Sequence, residues 1–257
     1  MRNKGILLAG LLAATVSLVQ ATGTEFSDWS PPVNVESIPG TSADFKTAAN
    51  DGCPAPSPDG LALYMASNRP GSQALDIWVS RRGRASDPWG PPQNLGAPIN
   101  TAANEFCPTP LPGNRLMFVS TKPGCGGSDI YIAHEDGRGG WQEPYHLGCT
   151  VNSAQDEASP IIVRYEDGTR ELYFSSTRLG GFAAGRPGAA AGDSDIYVSR
   201  VRWDGSIATP ALAPGLNTEF QDARPNLRRD GLEIVFGSDR PGSAGLDIWS
   251  AVARRTS

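Results

Sequence analysis

Four short motifs recur four times along this chain in one fixed order, and that repetition limits the fold more than any other feature. The first is Asp-Ile-aromatic, at Asp76-Ile77-Trp78, Asp129-Ile130-Tyr131, Asp195-Ile196-Tyr197 and Asp247-Ile248-Trp249, with spacings of 53, 66 and 52. The second is Ser-x-basic-x-Gly, starting at Ser67, Ser120, Ser176 and Ser238. The third is acid-x-x-Pro, in which Asp51, Glu105, Glu157 and Asp222 precede Pro54, Pro108, Pro160 and Pro225. The fourth is Trp-x-x-Pro at Trp29, Trp89 and Trp141, with Ile207 to Pro210 as a degenerate copy. The wide third interval holds a Gly- and Ala-rich insertion, residues 180–194, whose composition suits a surface loop.

Each repeat reads as strands. A short apolar run precedes every Ser-x-basic motif, Asp-Ile-aromatic opens another, and Gly-rich turns join the two as in a hairpin. The acid-x-x-Pro and Trp-x-x-Pro segments supply two further extended pieces. With 30 Gly and 22 Pro among 257 residues, long helices are interrupted everywhere. Four strands per unit of roughly 50 residues is the pattern of a propeller blade. The expectation is an all-β chain: a single β-propeller of four blades, each of four antiparallel strands, with five blades as the alternative. The chain begins with a lone Trp-x-x-Pro segment at Trp29 and ends without one. The N-terminal strand is therefore expected to pair with the strand opening at Asp247 and close the ring, which removes open edges.

Ser57-Pro58-Asp59-Gly60, followed by an aromatic strand, Ser67-Asn68-Arg69-Pro70-Gly71 and Asp76-Ile77-Trp78, resembles the WD-like β-propeller repeat of TolB-type periplasmic proteins. The stretches 89–96 (Trp-Gly-Pro-Pro-Gln-Asn-Leu-Gly) and 99–101 (Ile-Asn-Thr) are similar to an exported bacterial subfamily of that repeat. The resemblance implies the fold and an exported location. It does not imply an activity, because propellers host many unrelated ones. TolB carries an additional N-terminal domain and six blades, which do not fit here, so membership of a Tol complex is not implied.

Arg2 and Lys4, an apolar run from Gly5 to Val19, and Val19-Gln20-Ala21 form the three parts of a secretory leader. The expected organisation is a signal peptide over 1–21 and a propeller over 22–257, in the periplasm or secreted, with no membrane span once the leader is gone. Net charge is −5, and −7 (20 basic against 27 acidic residues) without Arg2 and Lys4. An acidic chain without a basic cluster is a poor partner for nucleic acid. A monomer is expected.

Candidate chemistry is sparse. Asp51, Glu105, Glu157 and Asp222 occupy one place in each repeat and would surround the channel mouth of a ring, where oxygens can hold calcium or a hydroxylated or cationic ligand. The plainer reading is that each acid caps a turn or accepts local N–H bonds. No other cofactor is expected, and the metal question stays open. Each repeat also holds one basic residue and one Asp, which suggests the internal pairs Arg69–Asp76, Lys122–Asp129, Arg178–Asp195 and Arg240–Asp247. His146 stands where Asn94 stands in the preceding repeat, which suits a turn. No catalytic residue stands out: no nucleophile elbow or phosphate loop is present. Four cysteines allow three pairings. Blade geometry favours Cys125–Cys149, within one repeat, and then Cys53–Cys107, at equivalent places in adjacent blades; four free thiols are the alternative. The expected function is a non-enzymatic binding module for a protein, peptide or glycan. The alternative is a carbohydrate-active hydrolase or lyase using axial carboxylates.

Overall fold

The computed structural model describes residues 32–182 and 193–252. The proposed leader, the segment at Trp29 and most of the insertion lie outside the described residues. The chain divides between Asn34 and Val35, and the unit Val35–Ser257 holds all the strands.

Four antiparallel sheets follow one another in a ring, a four-bladed β-propeller with almost no helix among the described residues. Blade one holds β1 (Asp51–Pro56), β2 (Ala62–Ser67), β3 (Asp76–Arg81) and β4 (Gln93–Asn94). Blade two holds β5 (Glu105–Leu111), β6 (Arg115–Ser120), β7 (Asp129–His134) and β8 (Tyr145–His146). Blade three holds β9 (Glu157–Arg164), β10 (Arg170–Ser176), β11 (Asp195–Arg200) and β12 (Ala211–Leu212). Blade four holds β13 (Asp222–Leu227), β14 (Glu233–Ser238) and β15 (Asp247–Val252). Strand order within each sheet is chain order, and β1, β5, β9 and β13 are the inner strands, packed successively against one another.

Middle strands such as β6 are apolar along their length because both faces of the sheet are covered by neighbouring blades. Tyr64, Ile77, Ile99 and Phe118 fill the space between blades one and two. Met117, Ile130, Leu172 and Phe174 fill the next, and Val163, Ile196, Ile234 and Phe236 the third. Phe45, Met65, Trp78 and Trp89 form a separate cluster with Val35.

Each of these three junctions carries the same polar clamp. Asn100 accepts the Ile77 N–H (2.8 Å) and donates to its carbonyl (2.9 Å). Asn152 does this for Ile130, and Asn217 for Ile196. The clamp pairs both backbone groups at the head of a strand that would otherwise have to bury them unpaired. It lies five residues before the acid of the next blade, and in the first repeat that place is Lys46, whose ammonium has no acceptor. Among the described residues, blades four and one meet through an Arg229 Nη2 bond to the Pro58 carbonyl, 2.7 Å. Blade four has three described strands; Ile248 and Val252 on its outer strand are 79% and 69% exposed. The fourth strand expected from Trp29 falls outside the described residues.

Candidate functional site

The repeated acids sit at the head of the inner strands. Glu105, Glu157 and Asp222 are fully buried. Glu157 accepts the Ser153 N–H (2.7 Å), the hydroxyls of Ser153 and Ser176 (2.6 Å each) and Arg178 (3.3 Å). Glu105 repeats the set with Thr101 and Ser120, and Asp222 with Thr218 and Arg240. Asp51, 37% exposed, pairs with Arg69 at 2.9 Å. Each buried carboxylate thus ties its inner strand to the strand beside it and to the loop arriving from the previous blade.

These contacts correct the expected internal pairs. Arg69, Arg178 and Arg240 bind the acid of acid-x-x-Pro, not the Asp of Asp-Ile-aromatic. Instead they lie over its aromatic ring: Arg69 over Trp78 (5.4 Å), Arg178 over Tyr197 (4.6 Å) and Arg240 over Trp249 (5.1 Å), as Lys122 does over Tyr131 (4.2 Å). The Asp is claimed by the backbone of its own hairpin turn. Gln73 and Ala74 donate to Asp76, Cys125 to Asp129, Phe182 to Asp195 and Ala244 to Asp247.

The acid-x-x-Pro motif has a second consequence. Its proline cannot donate to the ladder, and the pairing slips at that point in every blade, between Gly52 and Ala55, Phe106 and Thr109, Tyr173 and Ser175, and Ala223 and Asn226. At this bulge the residue before each proline takes up the left-handed region: Cys53 (φ 47°), Cys107 (φ 46°), Ser159 (φ 51°) and Arg224 (φ 56°). Such bulges re-aim a side chain. Here they bring four equivalent residues together from four blades. The Cys107 sulfur is 3.9 Å from Ser159 Oγ, and Cys53, at the same place on the adjacent inner strand, is near enough to feel the Cys107 thiol and the Arg224 charge. The acid, basic and aromatic positions of the blade keep one chemical class in every repeat, whereas this ring keeps one backbone geometry and holds two thiols, a hydroxyl and a guanidinium.

The Cys107 S–H bond lowers the Cys53 thiol to about 7; desolvation opposes this and the Arg224 charge assists. The shared proton and burial push Cys107 the other way. Cys53 is exposed and Cys107 half-buried. Alkylation of Cys53 by iodoacetamide should therefore reach half its limiting rate near pH 7, against about 8.5 for an ordinary thiol. Arg224→Ala should move that midpoint upward. Rates followed by mass spectrometry across pH 5.5–9.5 check this; a midpoint at the ordinary value contradicts it.

Cys125 and Cys149 form a disulfide, Cα–Cα 5.6 Å, between the β6–β7 turn and the loop after β8, as expected. Cys53 and Cys107 are in contact but stand as free thiols, not as the second expected bond. His146 takes the part of Asn94: Nε2 lies 3.1 Å from Asp129, as Asn94 lies 2.7 Å from Asp76, and Nδ1 accepts the Gly148 N–H. Donor atoms of Cys125, Asp129 and His146 lie within 4.8 Å of one another, but the Cys125 sulfur is committed to the disulfide. Sequence reading passed over Ser159 and Arg224. The signal was available in their place, two residues after the acid and before the proline, which they share with Cys53 and Cys107.

No protein-family model matches the chain, and no curated protein matches it in sequence. Among solved structures it is similar to a thermostable family-43 glycoside hydrolase, with TM-score 0.52, 14% identity, and coverage of 80% of this chain and 69% of that one. An endo-arabinase from Bacteroides thetaiotaomicron gives TM-score 0.51 and 14% identity, over 81% of this chain and 75% of that one. A putative TolB from Agrobacterium tumefaciens gives TM-score 0.47 and 19% identity, over 80% of this chain and 59% of that one, so the chain spans less than two thirds of that protein. At these identities the likeness is one of fold.

Proposed function

We propose that this chain is an exported, non-enzymatic β-propeller that binds a protein, peptide or glycan over the axial ring of Cys53, Cys107, Ser159 and Arg224. The observation that carries the reading is the ring itself: one repeated backbone geometry presenting a different, reactive or charged side chain from nearly every blade. Arg224, exposed in a chain of net charge −5, offers a fixed cation to a carboxylate or another anionic group of the ligand. Export is supported by the leader pattern and by the Cys125–Cys149 disulfide, which suits an oxidising compartment. Among the described residues no helix is long and apolar enough to cross a membrane.

Two of the similar structures are glycan-cleaving enzymes, so hydrolysis is the competing reading. Glycoside cleavage needs two carboxyl groups flanking one bond in a common space. Glu105, Glu157 and Asp222 instead turn their oxygens toward donors of their own blade and the loop that enters it. The reading needs no cofactor; of the four acids considered for calcium, Asp51 alone has a carboxylate open to solvent.

Peptide and glycan arrays probed with the full exported chain test the proposal. Ligands that bind the wild type should be lost on Arg224→Glu and kept on Arg138→Glu, a change on the exposed β7–β8 loop. Release of sugars from arabinan or another polysaccharide by the wild type, or binding indifferent to Arg224→Glu, would overturn it.

A further inference from the structure

Two of the four ring residues are thiols at equivalent bulges of β1 and β5, inner strands that pack against each other, with a hydroxyl 3.9 Å from one and the charge of Arg224 felt at the other. Binding alone does not require that arrangement. We infer that Cys53 and Cys107 form a dithiol that exchanges with a disulfide of the bound partner, Cys53 attacking and Cys107 resolving. The inference rests on the axial ring being the place where the partner docks.

The asymmetry of the pair assigns the roles. Thiolate, not thiol, attacks a disulfide, and an attacking thiol works best with a pKa near ambient pH. Cys53 is the exposed member of the pair and so the one a partner disulfide reaches, and the neighbouring Cys107 thiol and the Arg224 charge favour its thiolate. Cys107 is half-buried, keeps its proton and is held between Cys53 and Ser159, where it is shielded from the partner but not from Cys53.

The chemistry balances within the two molecules. The Cys53 sulfur attacks one sulfur of the partner disulfide; a mixed disulfide forms and the partner's other sulfur leaves as a thiolate. That thiolate takes a proton from solvent, and Cys107, no longer facing a Cys53 thiolate, releases its own proton to solvent. The Cys107 thiolate then attacks the Cys53 sulfur, the Cys53–Cys107 bond forms, and the partner's second sulfur departs and takes a proton from solvent. The partner disulfide is reduced to two thiols, and the Cys53–Cys107 pair is oxidised. The Cys125–Cys149 disulfide joins the β6–β7 turn to the loop after β8, is already oxidised, and supplies nothing to this balance.

Glutathione disulfide serves as the probe on the full chain at pH 7. The wild type should end with a Cys53–Cys107 bond by peptide mapping and release two equivalents of glutathione. Cys107→Ser should accumulate a stable glutathione adduct at Cys53. Cys53→Ser should be modified at Cys107 at least about tenfold more slowly, since that thiol is half-buried and its desolvation still disfavours the thiolate. Equal rates in the two variants, or adducts on both cysteines of the wild type with no internal bond, would overturn the inference. Array binding by the Cys53→Ser/Cys107→Ser double variant separates the two proposals. Retained, Arg224-dependent binding leaves the docking reading standing whatever the exchange result, and loss of Arg224 dependence removes the docking reading by itself.

Discussion

Replacing Glu157 with alanine should destabilise the propeller by about 3–5 kcal/mol, the range found when one partner of a buried ion pair is removed. The expected loss is this large because the carboxylate is fully buried and serves four donors: the Ser153 N–H, the Ser153 and Ser176 hydroxyls and Arg178. The Ser153 N–H and the Ser153 and Ser176 hydroxyls would lose their acceptor, Arg178 would keep only the Val151 carbonyl and Ser176 Oγ, and a domain of this kind has only about 5–15 kcal/mol in total. Urea unfolding should show a lower midpoint with an unchanged slope. Arg178 is the outermost of the four, so Arg178→Ala should cost less. A loss below about 1 kcal/mol for Glu157→Ala, the scale of an exposed pair, would mean that the acid does not hold the blade.

Removing the Cys125–Cys149 disulfide should cost roughly 3 kcal/mol, since 24 positions separate the two cysteines and the unfolded chain regains the freedom of that loop. The comparison is Cys125→Ser/Cys149→Ser against its parent, both carrying Cys53→Ser and Cys107→Ser so that the axial thiols do not contribute. Thermal unfolding should drop by several degrees, and adding a reductant should bring the parent to the same value. The variant should also keep its Asp129–His146 contact, because His146 is held from the other side by the Gly148 N–H. A parent insensitive to reductant would contradict the pairing.

The blades were legible because Ser-x-basic-x-Gly and Asp-Ile-aromatic mark the facing ends of one hairpin, and that hairpin recurs in register: Ser67 opposite Asp76, Ser120 opposite Asp129, Ser176 opposite Asp195, Ser238 opposite Asp247. The same register hid the partner of the arginine. Ser67 also stands opposite Asp51 on its other side, so Arg69, two residues on, has an acid within reach on either strand. Turn amides from Gln73 and Ala74 claim Asp76 and decide the matter, and those bonds leave no trace in residue type. The acid-x-x-Pro motif drew attention to its acid, although the proline sets the site. By slipping the ladder it turns Cys53, Cys107, Ser159 and Arg224 into one ring. Three of the inter-blade junctions follow from Asn100, Asn152 and Asn217; Lys46 in the corresponding place marks the fourth as different, a departure visible only once the clamp is known.

Inner strands β1 and β5 of adjacent blades bring Cys53 and Cys107 within reach of one another. A bis-alkylating bimane, which fluoresces only when both of its arms have reacted, measures that contact directly. The wild-type chain should become fluorescent, with peptide mapping placing the bridge between Cys53 and Cys107, and either Cys53→Ser or Cys107→Ser should abolish the signal. Single, non-fluorescent adducts at both cysteines of the folded wild type would contradict the claim.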